Sequence, residues 1–201
     1  MIAVITGDII NSRKVTSEVW LPRLKHYLSQ KVNDREKWEI YRGDSFQLET
    51  DLDKALDIVM SIKALIKSNN VVDVRMSIGI GDREFKGAKI TESYGSAFIN
   101  SGESFEKLKS NTLIIKTPFE EFDEYFNPIL NLISFISDSW KPVTAETIFH
   151  TLNNRSLMQK EIAERLEKDS TTINKALKRG AYDELIQIIN LFSKKISQCL
   201  N

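Results

Sequence analysis

Cysteine is almost missing from this 201-residue chain: the one present, Cys199, stands close to the end without an intramolecular partner. That excludes an internal disulfide and a cysteine zinc cluster, and a reducing compartment fits. Long apolar runs are missing as well. The opening run from Met1 meets Asp8 too soon for the core of a signal peptide, and no stretch approaches the roughly 20 apolar residues that span a bilayer. The expectation is a cytoplasmic protein without a membrane partner. Charge of one sign is missing too, since 28 basic residues face 28 acidic ones, so the whole chain makes no general electrostatic offer to nucleic acid. The balance is nevertheless uneven: from Lys141 onward ten basic and seven acidic residues leave a local charge of +3, which suits phosphate contact only modestly. Histidine is limited to His26 and His150, neither with a carboxylate at metal-ligand spacing. Gly79 and Gly81 lack the lysine and serine of a P-loop after them. No internal repeat or low-complexity tract is present.

What is there suffices for a sizeable core, with 41% hydrophobic and 28% charged residues. Ile2 to Thr6 reads as a buried strand that stops at Gly7 and Asp8. Residues 17–31 place Val19, Trp20, Leu24, Tyr27 and Leu28 at helical spacing, with Pro22 tolerable in the first turn. Trp38–Arg42 and Phe46–Thr50 read as strands of a hairpin closed by Gly43, Asp44 and Ser45. A helix over 52–67 follows, with Asp51 or Asp53 as cap, then a strand over 71–80 half buried through Val72, Val74, Met76, Ile78 and Ile80. A helix over 94–109 and a strand over 112–116 complete the order β, α, β, β, α, β, α, β. This order predicts an α+β fold, a ferredoxin-like antiparallel sheet with helices on one face. Beyond Pro118 the pattern is helical, with a break at Pro128 expected. The division expected is an α+β domain over 1–118, a helical linker over 119–140 and an all-α domain over 141–201. The aromatic residues Phe119, Phe122, Tyr125 and Phe126 would pack the units together.

In the last part, Ile162, Ala163 and Leu166 form one apolar face, Asp169 and Ser170 interrupt it, and Ile173, Ala176 and Leu177 resume it. Two short helices meeting at a tight turn are expected, with Ala163 small enough for a close crossing and Ser170 as N-cap of the second. The outer side of that second helix would carry Ser170, Thr171, Thr172, Asn174, Lys175, Lys178 and Arg179, which offer amide, hydroxyl and cationic contacts to base edges and phosphates. An ordinary helical hairpin that binds no DNA is the bland alternative. The segment from Gln159 to Leu177 resembles the helix-turn-helix of bacterial transcriptional regulators, except that Glu167 stands where a turn glycine is common and allows a slightly longer turn. The last helix, with Leu185, Ile188, Ile189, Phe192 and Ile196 on one face, either closes the motif or pairs two chains as a homodimer.

At the other end, Asp8 after the first strand and Asp44 at the hairpin tip would converge if those strands are neighbours. Two carboxylates suit Mg2+ or Mn2+, and Asn11, Ser12 and Arg13 could meet the phosphates of a nucleotide. The bland alternative makes Asp8 a capping carboxylate and Asp44 a turn former. Gly7 to Ser12 and Arg42 to Ser45 resemble the two metal motifs of class III nucleotidyl cyclases, and Arg75–Gly81, Gly87, Gly95, Ala97, Asn100 and Leu108 match further positions over residues 2–116. That resemblance implies a cyclase-like, palm-like core with Asp8 and Asp44 as metal ligands and Asn100 orienting a ribose. Two positions depart from it. Ser104 replaces the arginine that stabilises the transferring phosphate, and Ile40 replaces the base-reading lysine. Loss of such a cation costs about 10³-fold or more, with Arg42 or Arg13 as the available substitutes. With the helix-turn-helix tail, the chain is similar over nearly its whole length to the SatD family of bacterial proteins, which implies architecture rather than a substrate. The leading expectation is a DNA-binding transcriptional regulator with a degenerate cyclase-like sensor for nucleotide and divalent metal. An active metal-dependent nucleotidyltransferase or cyclase and a protein-interaction module stay open.

Overall fold

A computed structural model describes residues 1–32, 34–109 and 111–199. Its middle is β1 (Ile2–Ile10), which lies between two antiparallel partners. One is β3 (Ser45–Thr50) and the other is β4 (Asp73–Gly81). The strand does not stop at Gly7 and Asp8 as expected. Its ladder to β4 continues to Ile10 opposite Asp73, and pairing on both edges overrides the poor strand preference of glycine and aspartate.

The element order agrees with expectation. After β1 come α1 (Leu21–Lys31), β2 (Trp38–Tyr41), β3, α2 (Ala55–Lys67), β4, α3 (Ser96–Lys107) and β5 (Leu113–Lys116). The fold is α+β, with a five-stranded sheet in the order β2-β3-β1-β4-β5. Two features differ from expectation. β5 runs parallel to β4, so the sheet is mixed; α3 intervenes as a crossover, and a crossover returns the chain in the same direction. The helices also occupy both faces. Ala3, Ile5, Ile9, Val74, Met76, Ile78 and Ile80 face the core shared with α1 and α2. α3 covers the opposite face of β4. A Cβ on Gly79 would lie 2.2 Å from the Ser101 amide, and the Ser77 hydroxyl donates to the Ser101 carbonyl at 2.7 Å. β4 is therefore buried on both faces from Met76 onward rather than half buried.

The C-terminal helices are α4 (Glu120–Asp138), α5 (Pro142–Asn153), α6 (Gln159–Arg165), α7 (Ser170–Arg179) and α8 (Tyr182–Gln198). α4 continues through Pro128 without the expected break. Proline removes one helical hydrogen bond, but Phe122, Phe126, Leu130 and Ile133 hold the helix in the core on either side of it. The same helix seals the outer edge of the sheet. The Asn127 side chain accepts from the Ile115 amide and donates to its carbonyl, both at 3.0 Å, and Asp123 accepts from the Thr117 amide at 2.9 Å. α5 and α8 pack against α2, which is consequently apolar almost all round. One cluster of buried apolar residues runs from Ala3 to Ile196. Among the described residues no helix is long and apolar enough to cross a membrane.

Within this apolar interior sits a charge. Lys63 of α2 is fully buried, and its ammonium donates to Asp73 at 2.6 Å, Asp138 at 2.5 Å, Thr112 at 3.2 Å and the Val74 carbonyl at 3.3 Å. Lys67, one turn on, pairs with Asp73 at 3.2 Å and donates to the Asp138 carbonyl at 2.8 Å. Removing one member of a buried pair leaves its partners uncompensated, at a cost of about 3 kcal/mol or more. Lys63→Met is expected to lower the unfolding free energy by about 3 kcal/mol in urea denaturation. Lys67→Met, at a partly exposed position, should lower it by clearly less; equal losses would count against this assignment.

Candidate functional site

The turn between β2 and β3 is made by Arg42 and Gly43 at φ 52° and 90°, conformations that favour glycine at the second position. The turn is pinned to β1 because the Ile9 amide donates to the Asp44 carbonyl at 3.1 Å, and Asp8 is the register partner of Ser45. Asp8 and Asp44 are thus brought side by side. Their carboxylates have separate partners, however. Both oxygens of Asp8 accept from Arg75 of β4, Nε and Nη2 each at 2.8 Å, while Asp44 accepts from the Ser12 hydroxyl at 2.6 Å. Arg75 lies over the Phe105 ring at 4.8 Å, and its hydrogen bonds to Asp8 raise its already high pKa. Asn11, in the left-handed conformation at φ 62°, turns the chain into a short 3₁₀ turn, Ser12–Lys14.

Arg13 and Arg42 are exposed near this pair and form no ion pair among the described residues. Asn100 is not gathered there. Its amide donates to the Ile80 carbonyl at 2.7 Å, five residues along β4 from Arg75, or about 16 Å at strand spacing. β5 ends level with Gly79, so Asn100 satisfies a carbonyl that lies beyond the ladder. Ser104 is buried and donates back to the Asn100 carbonyl at 2.5 Å, so its side chain turns into the α3–sheet contact.

Among the described residues no group of three or more histidine, cysteine, aspartate or glutamate side chains could hold a metal ion. Mg2+ requires near-octahedral oxygen ligands, whereas here both Asp8 oxygens are committed to a guanidinium. The arrangement does not fit Mg2+ or Mn2+: Arg75 already supplies the positive charge. Sequence reasoning passed over this arginine because only the β1–β4 register sets it opposite Asp8. The same face carries a second polar cluster absent from the sequence reading. Glu49 of β3 is buried, both its oxygens accept from Arg83 at 3.0 and 2.8 Å, and Lys37 pairs with it at 3.2 Å. Thr6 accepts from Gln47 at 3.2 Å and from Ser101 at 2.7 Å. A glutamate at an alternating strand position was the available signal.

At the other end, α6 and α7 meet at a tight turn. Glu167 adopts φ 52°, with its amide on the Glu164 carbonyl and the Lys168 amide on the Ala163 carbonyl, at 3.1 and 3.0 Å. These two bonds form a Schellman closure with glutamate in the left-handed position, so no lengthening of the turn compensates for the missing glycine. Ala163 is buried at the crossing, as are Ile162, Ile173, Ala176 and Leu177. Lys168 ties the turn to Glu146 of α5 at 3.0 Å, and Arg155 ties the α5–α6 connection to Asp57 of α2. α8 buries Leu185, Ile189, Phe192 and Ile196 within the same chain, so this face closes the helical assembly and is not free to pair two chains.

The N-cap is Asp169 rather than Ser170, which is the first helical residue. Asp169 accepts from the Thr172 amide at 2.8 Å and from its hydroxyl at 2.6 Å, bonds that hold its carboxyl below the usual range. Thr172 is thereby engaged in capping, while Ser170, Thr171, Asn174, Lys175, Lys178 and Arg179 are exposed. The three cations form no ion pair among the described residues. Glu164, Glu167 and Asp169 surround the start of α7, which leaves its last two turns as the cationic part.

No protein-family model and no curated protein matches the chain. Two measurements probe the geometry. Asp169→Ala is expected to lower the melting temperature by roughly 2–4 °C, as loss of a cap does in a chain of this size, whereas Ser170→Ala should leave it nearly unchanged. Arg75→Met is expected to confer Mn2+ binding that is lost again in Arg75→Met/Asp8→Asn, read from the electron paramagnetic resonance of the ion. Equal Mn2+ binding by the unsubstituted protein would overturn the view that Arg75 holds this position.

Proposed function

We propose that the chain is a DNA-binding transcriptional regulator in which α6 and α7 form a helix-turn-helix and the α+β part is a ligand-sensing module. The observation that carries the reading is the two-sided character of α7. Its inner side is locked by Ile173, Ala176 and Leu177, and its outer side offers Thr171, Asn174, Lys175, Lys178 and Arg179 to solvent, without carboxylate partners among the described residues. An amide can read adenine in the major groove, and the cations at the end of the helix suit phosphates.

The strand order and the antiparallel directions of β1 to β4 support a ferredoxin-like, cyclase-like core for the sensing module. Its ligand on this reading is a nucleotide, with Arg13 and Arg42 at the phosphates and Asn11 and Ser12 beside them. Sensing is favoured over turnover because Ser104 faces the sheet and contributes no cation to a reacting phosphate.

Titrating the protein into labelled genomic fragments, with fluorescence anisotropy at several salt concentrations, tests the DNA reading. Lys175→Ala and Lys178→Ala should each weaken binding to all sequences and reduce the salt slope by about 1, whereas Asn174→Ala should relax preference at one base pair. Binding no tighter than non-specific adsorption, unchanged by all three substitutions, would refute it.

A further inference from the structure

The outer face of α4 lacks what a solvent-facing helix normally carries. Between Glu124 and Asp138 there is no charged residue, in a chain that is 28% charged. Tyr125, Leu132 and Phe135 are 58%, 58% and 78% exposed, opposite the buried side formed by Phe126, Leu130 and Ile133. Together with Pro128 and the half-buried Ile129 and Ile136, they make a continuous apolar stripe at helical spacing. Leu132 and Phe135 in particular stand out from the core, and exposed apolar surface of this kind marks an interaction site.

We propose that this face joins two copies of the chain, with the α4 helices antiparallel and crossing near Leu132. Three observations select a second copy as the occupant. The first is charge. The start of α4 carries exposed Glu121 and Glu124, and beyond its end stands exposed Lys141, without an ion pair among the described residues. Antiparallel pairing about Leu132 sets Lys141 of one copy level with these glutamates of the other, twice over by symmetry, and opposes the helix dipoles favourably. The second is shape. Ser139 continues the stripe at its C-terminal end, where a hollow of about 450 Å³ is lined by Ser139, Trp140, Lys141, Val143, Thr144 and Arg179. The same pairing directs Tyr125 of the other copy to this hollow. The third is area. The three exposed side chains offer roughly 400 Å² per copy, at about 200 Å² for a fully exposed large side chain, and the two filled hollows bring the total toward the lower end of stable interfaces, about 1,200 Å².

Arg179 lines the hollow and also belongs to the outer side of α7, so the test is read without DNA and through substitutions on α4 and at Lys141, which the DNA reading does not use. Sedimentation velocity and light scattering across about 1–200 µM chain, in the range where an interface of this size associates, should show a species of twice the 23.1 kDa chain mass. Leu132→Glu and Phe135→Asp, at exposed positions, should keep the far-ultraviolet circular dichroism of the parent and weaken dimerisation by at least about 100-fold, as expected when central interface anchors are replaced by charge. Lys141→Glu should also weaken the dimer, and Lys141→Glu/Glu121→Lys/Glu124→Lys should restore it. A mass that stays monomeric throughout this range, or a dimer indifferent to Leu132→Glu and Phe135→Asp, overturns the proposal. Loss without restoration in the charge-reversed variant overturns the antiparallel arrangement.

Discussion

The buried ammonium of Lys63 is the interaction on which the arrangement of the other elements depends. α2 has the sheet on one side and the C-terminal helices on the other, and Lys63 lies inside that contact with no exposure to water. Its charge is tolerable only because Asp73 at the start of β4 and Asp138 at the end of α4 converge on it, with Thr112 donating to Asp138 at 2.8 Å. Four segments far apart in sequence are therefore fixed at one point. Apolar packing alone would accept small slides of α4 along the sheet. A hydrogen-bonded ion cluster is far less permissive, because each displaced partner leaves a charge in a medium that solvates it poorly.

How much of this was legible follows from the range of the forces involved. The alternation of strands and helices was readable because hydrophobic periodicity is local: Val74, Met76, Ile78 and Ile80 announce their strand without help from the rest of the chain. The two faces of α7 were readable for the same reason. The direction of β5 and the side on which α3 lies were not, since both depend on how Gly79 and Ser77 admit a helix across the sheet. The cap was expected at Ser170 and lies at Asp169, one residue earlier, because both side chains favour that position and only the start of the helix decides between them. Lys63 was least legible of all. Within its own helix it reads as a break in an apolar pattern, and its carboxylate partners lie 10 and 75 residues away.

At the sheet face, the legible part and the hidden part give different chemistry. Asp8 and Asp44 could be found from sequence because turn residues and the end of an apolar run mark them. Read alone, they suggest a divalent cation. Arg75 changes that reading, because a guanidinium stacked on Phe105 and bonded to both Asp8 oxygens places a fixed unit charge where a mobile double charge would be required. A guanidinium does not take a hydroxyl as a direct ligand and so generate a nucleophile as a metal ion does. It can balance a carboxylate and present its remaining N–H groups to an anion. On the proposed reading, recognition of a phosphate group would therefore need less rearrangement at this site than its transfer.

The same strand also connects the two candidate sites. Arg75 is two residues from Asp73, Asp73 is bonded to Lys63, and Lys63 is bonded to Asp138, after which Trp140 and Lys141 lead directly into α5. α5 in turn holds the turn before α7 through Glu146 and Lys168. Ion pairs alternate here with short stretches of backbone between the Asp8 face and the helix proposed to meet DNA. Contiguity alone does not make a signal, since coupling requires a ligand to favour one arrangement of the path over another. The point at which such a preference can arise is the Asp8–Arg75 pair. On the proposed reading, a phosphate ligand would meet Arg75 at the N–H groups that Asp8 leaves free, beside the strand that carries Asp73 into the Lys63 cluster.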